Sequence, residues 1–316
     1  MDEKIYELIY YPHVMTSILI ILGAGASYGS DRQEIVPPLG HSLFSELAKF
    51  NGTGWGKIPP EIKATFESDF EEGMKTLSEK YPHSLPPLQR VMAAYFFNFI
   101  PLNTNLYKII AKEIKHKNLK ISVVTLNYER LLELSLFQEG IQPIIGSKAQ
   151  NNNQIEICFP HGCCHISCEA AKGNASAISF AGMNVQTNGE IKIISNTLEF
   201  QQRINNEPFP PVMSYFEPTK YTTSGWNFIQ DQRTRFKILV EEANKIVIIG
   251  LRVREHDKHI WNLLQTTKAK IIYCSGFSAA KEYQRWSQNY SRDGDIILTE
   301  YFNENSLSKI LSLITD

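Results

Sequence analysis

Ser17-Ile18-Leu19-Ile20-Ile21-Leu22-Gly23-Ala24-Gly25-Ala26-Ser27 is the stretch whose reading decides the fold. The aliphatic run from Ile18 to Leu22 reads as a β-strand buried on both faces, as in the interior of a parallel sheet. It breaks into two glycines and small residues, with Ser27, Tyr28 and Gly29 behind them. Small residues here let a ligand's pyrophosphate approach the backbone, where amides at a helix start can receive it. Tight packing leaves the same pattern, and the turn alone does not separate the two.

Outward from this strand the chain alternates. Ile121–Thr125, Pro143–Ile145, Ile155–Phe159, Ile246–Gly250, Ile271–Tyr273 and Ile296–Leu298 read as strands. Helical patterns run over Glu129–Gln138, Trp226–Asn244, from Ser278, and over Leu307–Ile314, with a shorter one through Ile260, Leu263 and Leu264. Strands alternating with helices predict an α/β fold, a doubly wound parallel sheet of Rossmann-like type. A helix is expected near Ser42, and Asp2–Val14 reads as a short helix or arm. Residues of about 52–104 carry no strand pattern and read as a helical insert, its pieces interrupted at Pro82, Pro86 and Pro87. Residues 163–225 are poorly periodic apart from Ile191–Ile194 and read as long loops with a few short elements. We therefore expect one domain over 1–316.

Composition narrows the class. The 316 residues carry 32 Lys+Arg against 33 Asp+Glu, a net charge of −1, which leaves no electrostatic footprint for nucleic acid. The longest apolar stretches, Ile18–Ala26 and Val91–Ile100, fall short of the roughly 20 residues a membrane span needs. Met1-Asp2-Glu3-Lys4 does not open a signal peptide, so a soluble, cytoplasmic protein is expected. Five cysteines in a chain of this length are expected as reduced thiols rather than a disulfide framework.

Ligands of doubly wound sheets bind outside the carboxyl ends of the strands. Four buried strands end in small or polar residues: at Gly23-Ala24-Gly25, at Thr125-Leu126-Asn127, at Pro160-His161-Gly162 and at Gly250. If these strands are neighbours, Asn127 and His161 project into the crevice that holds the glycine turn. The dinucleotide fingerprint of hydride-transferring dehydrogenases fits poorly. Gly29 falls one residue late for its third glycine, and Glu46 lies in a helix rather than after a strand.

Gly23-Ala24-Gly25-Ala26-Ser27, Thr125-Leu126-Asn127-Tyr128-Glu129, Pro160-His161-Gly162 and Gly250-Leu251 occur in the order and spacing of the sirtuins. The set resembles more closely the sirtuin-like NAD⁺ hydrolases of bacterial antiphage defence. Pro37-Pro38-Leu39-Gly40 is similar to the loop those hydrolases carry, and Ile249-Gly250-Leu251-Arg252 through Asp257, His259 and Trp261 to their late motif. The resemblance runs from about Ile18 to Ser275; each motif is short, so its weight lies in the ordered set. It implies an NAD⁺ glycohydrolase releasing nicotinamide and ADP-ribose, an abortive-infection effector held silent by a separate partner or by assembly into an oligomer. The partner would be an ATPase, an Argonaute-like protein or a nucleotide-responsive subunit. It implies a site in which Gly23, Ala24, Gly25, Ala26 and Ser27 hold the phosphates. Thr125, Asn127 and Tyr128 would hold the ribose side, Gly250 and Leu251 would complete the cofactor contacts, and Asn127 and His161 would be catalytic. Other readings are an NAD⁺-dependent protein deacylase and a non-catalytic module binding NAD⁺ or ADP-ribose.

Departures from the pattern carry information too. Deacetylating sirtuins have two Cys-x-x-Cys pairs for zinc, whereas Cys158, Cys163, Cys164 and Cys168 are not spaced as such pairs, and no metal is expected. His256 and His259, three apart, lack an accompanying metal-binding signature and read as surface or structural residues. Glu129 stands where the family more often has Asp, which leaves its ribose contact open.

Overall fold

The computed structural model describes residues 17–32, 36–50, 54–169, 178–181, 184–207, 209–214, 224–254 and 257–315. The expected arm at Asp2–Val14 and His256 lie outside them.

Seven strands form one sheet: β1 (Ile18–Leu22), β2 (Ile121–Thr125), β3 (Gln142–Ile145), β4 (Gln154–Cys158), β9 (Lys245–Ile249), β10 (Lys270–Cys274) and β11 (Ile296–Leu298). Their order is β11-β10-β9-β1-β2-β4-β3, and every pairing in it is parallel. All five residues of β1 are buried. Their alternation divides them between two layers, with Ile18, Ile20 and Leu22 in one core and Leu19 and Ile21 in the other. The first layer is covered by α2 (Gly40–Lys49), α3 (Pro60–Ser68), α4 (Phe70–Lys80), α5 (Leu85–Phe97), α6 (Leu106–Lys117), α7 (Leu131–Gln138) and α12 (Glu304–Thr315). The second is covered by α9 (Trp226–Glu242), α10 (Lys258–Thr266) and α11 (Phe277–Asn289). Helices on both faces of a parallel sheet give the doubly wound α/β architecture that the strand pattern predicts.

The sheet grows from β1 in two directions, toward β2, β4 and β3 first and toward β9, β10 and β11 later. Its switch point is therefore the β1/β9 boundary, where loops leaving adjacent strands diverge and open a crevice. The short α1 (Ala24–Gly29) follows β1 there.

Two local readings need correction. Pro86 and Pro87 do not interrupt a helix: they occupy its first turn in α5, where a missing N–H costs nothing. The loop-rich stretch contains a ten-residue helix, α8 (Thr197–Asn206), besides short strands β5 (Ile166–Cys168), β6 (Ile178–Ala181), β7 (Asn184–Thr187) and β8 (Ile191–Ile193). Only Phe200 of α8 is buried, so periodicity is faint. Its signal was the cap, for the Asn196 side chain accepts from the amides of Leu198 and Glu199. Pro143 fits β3 because that strand is the sheet edge. Among the described residues, no helix is long and apolar enough to cross a membrane.

Candidate active site

A cavity of about 500 Å³ opens at the carboxyl ends of β1, β2, β4, β9 and β10. That size lies within the range of small-molecule sites. Gly23, Ala24, Gly25, Ser27, Asn127, Tyr128, His161, Gly250 and Leu251 all line it. Ala26 and Thr125, expected among the ligand contacts, do not. Ala26 is fully buried behind the turn, and Thr125 accepts the Asn127 amide on its Oγ1 at 3.2 Å. Pro37, Pro38, Leu39 and Gly40 form part of the opposite wall.

The glycines owe their identity first to packing. Gly250 has φ +66°, and a Cβ there would stand 2.1 Å from the Ala26 nitrogen. A Cβ on Gly23 would stand 2.7 Å from the Gly250 carbonyl oxygen, and one on Gly25 2.9 Å from the Gly250 Cα. The loops after β1 and β9 thus meet backbone to backbone. The Gly25 amide donates to the Gly250 carbonyl at 2.9 Å, the Gly23 amide to that of Ile249 at 2.9 Å, and the Ala26 amide to that of Gly23 at 2.9 Å. Three of the amides that the sequence offers to a phosphate are spent inside the protein.

Ser27 is likewise engaged. Its hydroxyl donates to the Glu129 carboxylate, accepts from Asn127 Nδ2 at 2.8 Å and lies 2.9 Å from the Tyr107 hydroxyl. Glu129 also accepts the Leu131 amide at 2.7 Å, helping to start α7. Burial raises the Glu129 pKa, and the bonds from Ser27, Leu131 and Asn127 act against that rise. With Nδ2 committed to Ser27, the Asn127 amide presents Oδ1 as its accepting end. Ser27 thus orients Asn127 while lining the cavity.

His161 follows β4 at a turn made possible by Gly162, whose φ is +74° and whose Cβ would lie 1.9 Å from the Val212 carbonyl oxygen. The His161 carbonyl accepts the Ser214 amide at 2.8 Å, and the Tyr128 hydroxyl donates to the Ser214 carbonyl at 2.9 Å, so both site loops rest on one anchor. The His161 and Tyr128 rings lie 6.5 Å apart, inclined by 26°. Of the two roles expected for His259, surface or structural, the structure gives a half-buried residue whose Nε2 lies 2.9 Å from that of His161. Asp257, buried, completes a group whose ligand atoms lie within 4.8 Å of one another. The sequence signal was the proximity of Asp257 and His259 to Gly250-Leu251. Two further charges on the rim, Arg254 and Glu71, pair at 2.9 Å.

Behind the site, Cys163, Cys164 and His165 form a second group with ligand atoms within 4.8 Å. The five cysteines are free and buried. His165 Nε2 lies 3.7 Å from Glu133, whose pKa burial, and then the Glu129 charge, push up to about 8. An acid with a raised folded pKa loses stability as pH climbs from its unfolded value of 4.5 to about 8, because the unfolded chain gives up its proton first. Thermal melts of Glu133→Gln should therefore lack part of the decline that the native chain shows across this window. Identical pH profiles would refute the buried, protonated carboxyl.

No protein-family model matches the chain, and neither does any curated protein. Among solved structures it is similar to the ADP-ribose complex of a histidine-to-asparagine mutant of a Sir2 homologue, at 14% identity and a TM-score of 0.44, over 95% of this chain and 93% of that one. A Sir2 homologue with a serine-to-alanine change, also with ADP-ribose, gives 12% identity and a TM-score of 0.44 over 95% and 93%. A Sir2 homologue–NAD complex gives 13% identity and a TM-score of 0.38 over 95% and 89%.

Proposed function

We propose that the cavity binds NAD⁺ and that the chain hydrolyses it to nicotinamide and ADP-ribose. The observation that carries this reading is the convergence of Asn127 and His161, from the ends of β2 and β4, on the cavity beside the β1 turn. The ordered motifs supply the substrate.

Breaking the nicotinamide–ribose bond passes through an oxocarbenium-like state, as glycoside hydrolysis does. Nicotinamide leaves with the bonding electrons and needs no acid. Water then bonds to the anomeric carbon, and its proton goes to a base. Asn127 Oδ1 suits the holding of that water or a ribose hydroxyl, and His161 suits the taking of the proton. His161 Nε2 faces His259 in this structure, so substrate must take up part of that contact. Gly23, Ala24, Gly25 and Ser27 line the cavity together with Gly250 and Leu251, on the wall expected to meet the phosphates.

We further read the chain as one NAD⁺-binding domain with a helical insert at about 52–104. It would act as an effector in antiphage defence, triggered by a separately encoded regulatory partner or by oligomer assembly. Incubation with NAD⁺, with and without co-purifying proteins, should release nicotinamide without any acyl-lysine peptide. Release only when that peptide is added would mean a deacylase. Saturable NAD⁺ binding with no release, even in the presence of the partner, would mean a ligand-binding module.

A further inference from the structure

His161 and His259 are 98 residues apart in the chain, yet their Nε2 atoms meet at 2.9 Å. Two neutral imidazoles share one proton across such a contact: one ring donates, and the other offers its lone pair. One ligand atom from each of His161, Asp257 and His259 lies within 4.8 Å of the others, and Asp257 lines the cavity as His161 does. Two imidazole nitrogens and one carboxylate oxygen at the edge of a cavity make the donor set of open metal sites, in which three protein ligands leave further positions for solvent.

The spacing is close to what a cation needs. With metal–nitrogen bonds of about 2.0–2.1 Å, two nitrogens stand roughly 2.9 Å apart at a right angle and roughly 3.4 Å apart at a tetrahedral one. The two nitrogens therefore part by about half an ångström at most, and the rings turn so that both lone pairs face the cation. Imidazole selects zinc, cobalt, nickel and their like over magnesium or calcium, which take oxygen shells. The nearby Arg254 is paired with Glu71, so its charge is offset at the rim.

We propose that His161, Asp257 and His259 bind a zinc-like divalent cation, and that the bound cation blocks the cavity by occupying His161 Nε2. The proton between the rings moves to an Nδ1 or to solvent, and both Nε2 lone pairs go to the metal. Binding itself follows from the donor set alone. The block rests on the hydrolase reading, in which that nitrogen takes a proton.

Titrating the full chain with Co²⁺, without NAD⁺, should give saturable one-to-one binding, a visible absorption band, and displacement by Zn²⁺. Asp257→Asn and His259→Gln should each weaken binding by about tenfold or more, with unfolding temperatures confirming that the variants fold. No saturable binding, or unchanged affinity in both folded variants, overturns the site. If the native chain releases nicotinamide, saturating Zn²⁺ should stop it, and undiminished release would overturn the block. A chain that binds Co²⁺ but never releases nicotinamide loses the hydrolase reading and keeps the cation site.

Discussion

Replacing His161 by alanine should lower nicotinamide release from NAD⁺ by roughly 10²–10⁴-fold, the usual contribution of a positioned general base. The variant should bind NAD⁺ almost as well as the native chain, because proton transfer belongs to the transition state and not to the bound substrate. The loss should therefore fall on kcat rather than KM. Removing a buried ring that lies beside Tyr128 also creates space, so an unfolding temperature measured alongside separates lost chemistry from lost fold. Asn127→Ala should lose rate as well, by a different route: it leaves Ser27 without the Nδ2 donor and removes the accepting Oδ1. Release undiminished in both folded variants would remove these residues from the chemistry, whatever the cavity binds.

The parts of this site legible in the sequence were those that local pattern encodes. A buried aliphatic run followed by Gly23 and Gly25 marks β1 and its turn, and the same logic locates β2, β4 and β9 together with Asn127, His161 and Gly250 at their ends. What pattern did not carry was partnership across the fold. The contact of His259 with His161 was not legible, because its partner lies 98 positions earlier. The bonds of Ser27 to Glu129, Asn127 and Tyr107 were not legible, because nothing near it in the chain announces those partners. The rim residue Glu71 came from a segment with no motif at all, and its pairing with Arg254 was not legible either. Helix α8 was missed for a related reason. With only Phe200 buried, its stability rests on its cap and on ion pairs such as Arg203–Glu207 at 2.8 Å, neither of which leaves a hydrophobic period.

Gly250→Ala should be among the most destabilising single changes in the chain, by about 3 kcal/mol or more. Two costs add. An alanine at φ +66° meets the left-handed penalty of about 1–2 kcal/mol. The new Cβ also stands 2.1 Å from the Ala26 nitrogen and 2.3 Å from the Gly25 carbonyl carbon, both backbone atoms, so relief requires the two loops to part. Parting them strains the Gly25–Gly250 bond and disturbs α1, and overpacking of this kind costs about 1–3 kcal/mol. With an unfolding entropy of about 2.1 cal/mol/K per residue over 316 residues, each kcal/mol shifts the unfolding temperature by roughly 1.5 °C, so it should drop by about 4–5 °C or more. The change should act on function as well as stability, because the displaced turn lines the cavity proposed to bind NAD⁺. Any Gly250→Ala protein that remains folded should bind NAD⁺ more weakly, with KM rising before kcat falls. Gly40→Ala is the matched control, since a Cβ there meets nothing within 4 Å. If both variants melt together at the native temperature, the β1 and β9 loops do not touch as described, and the glycines would return to the role that the sequence first suggested, open space for a ligand's phosphates.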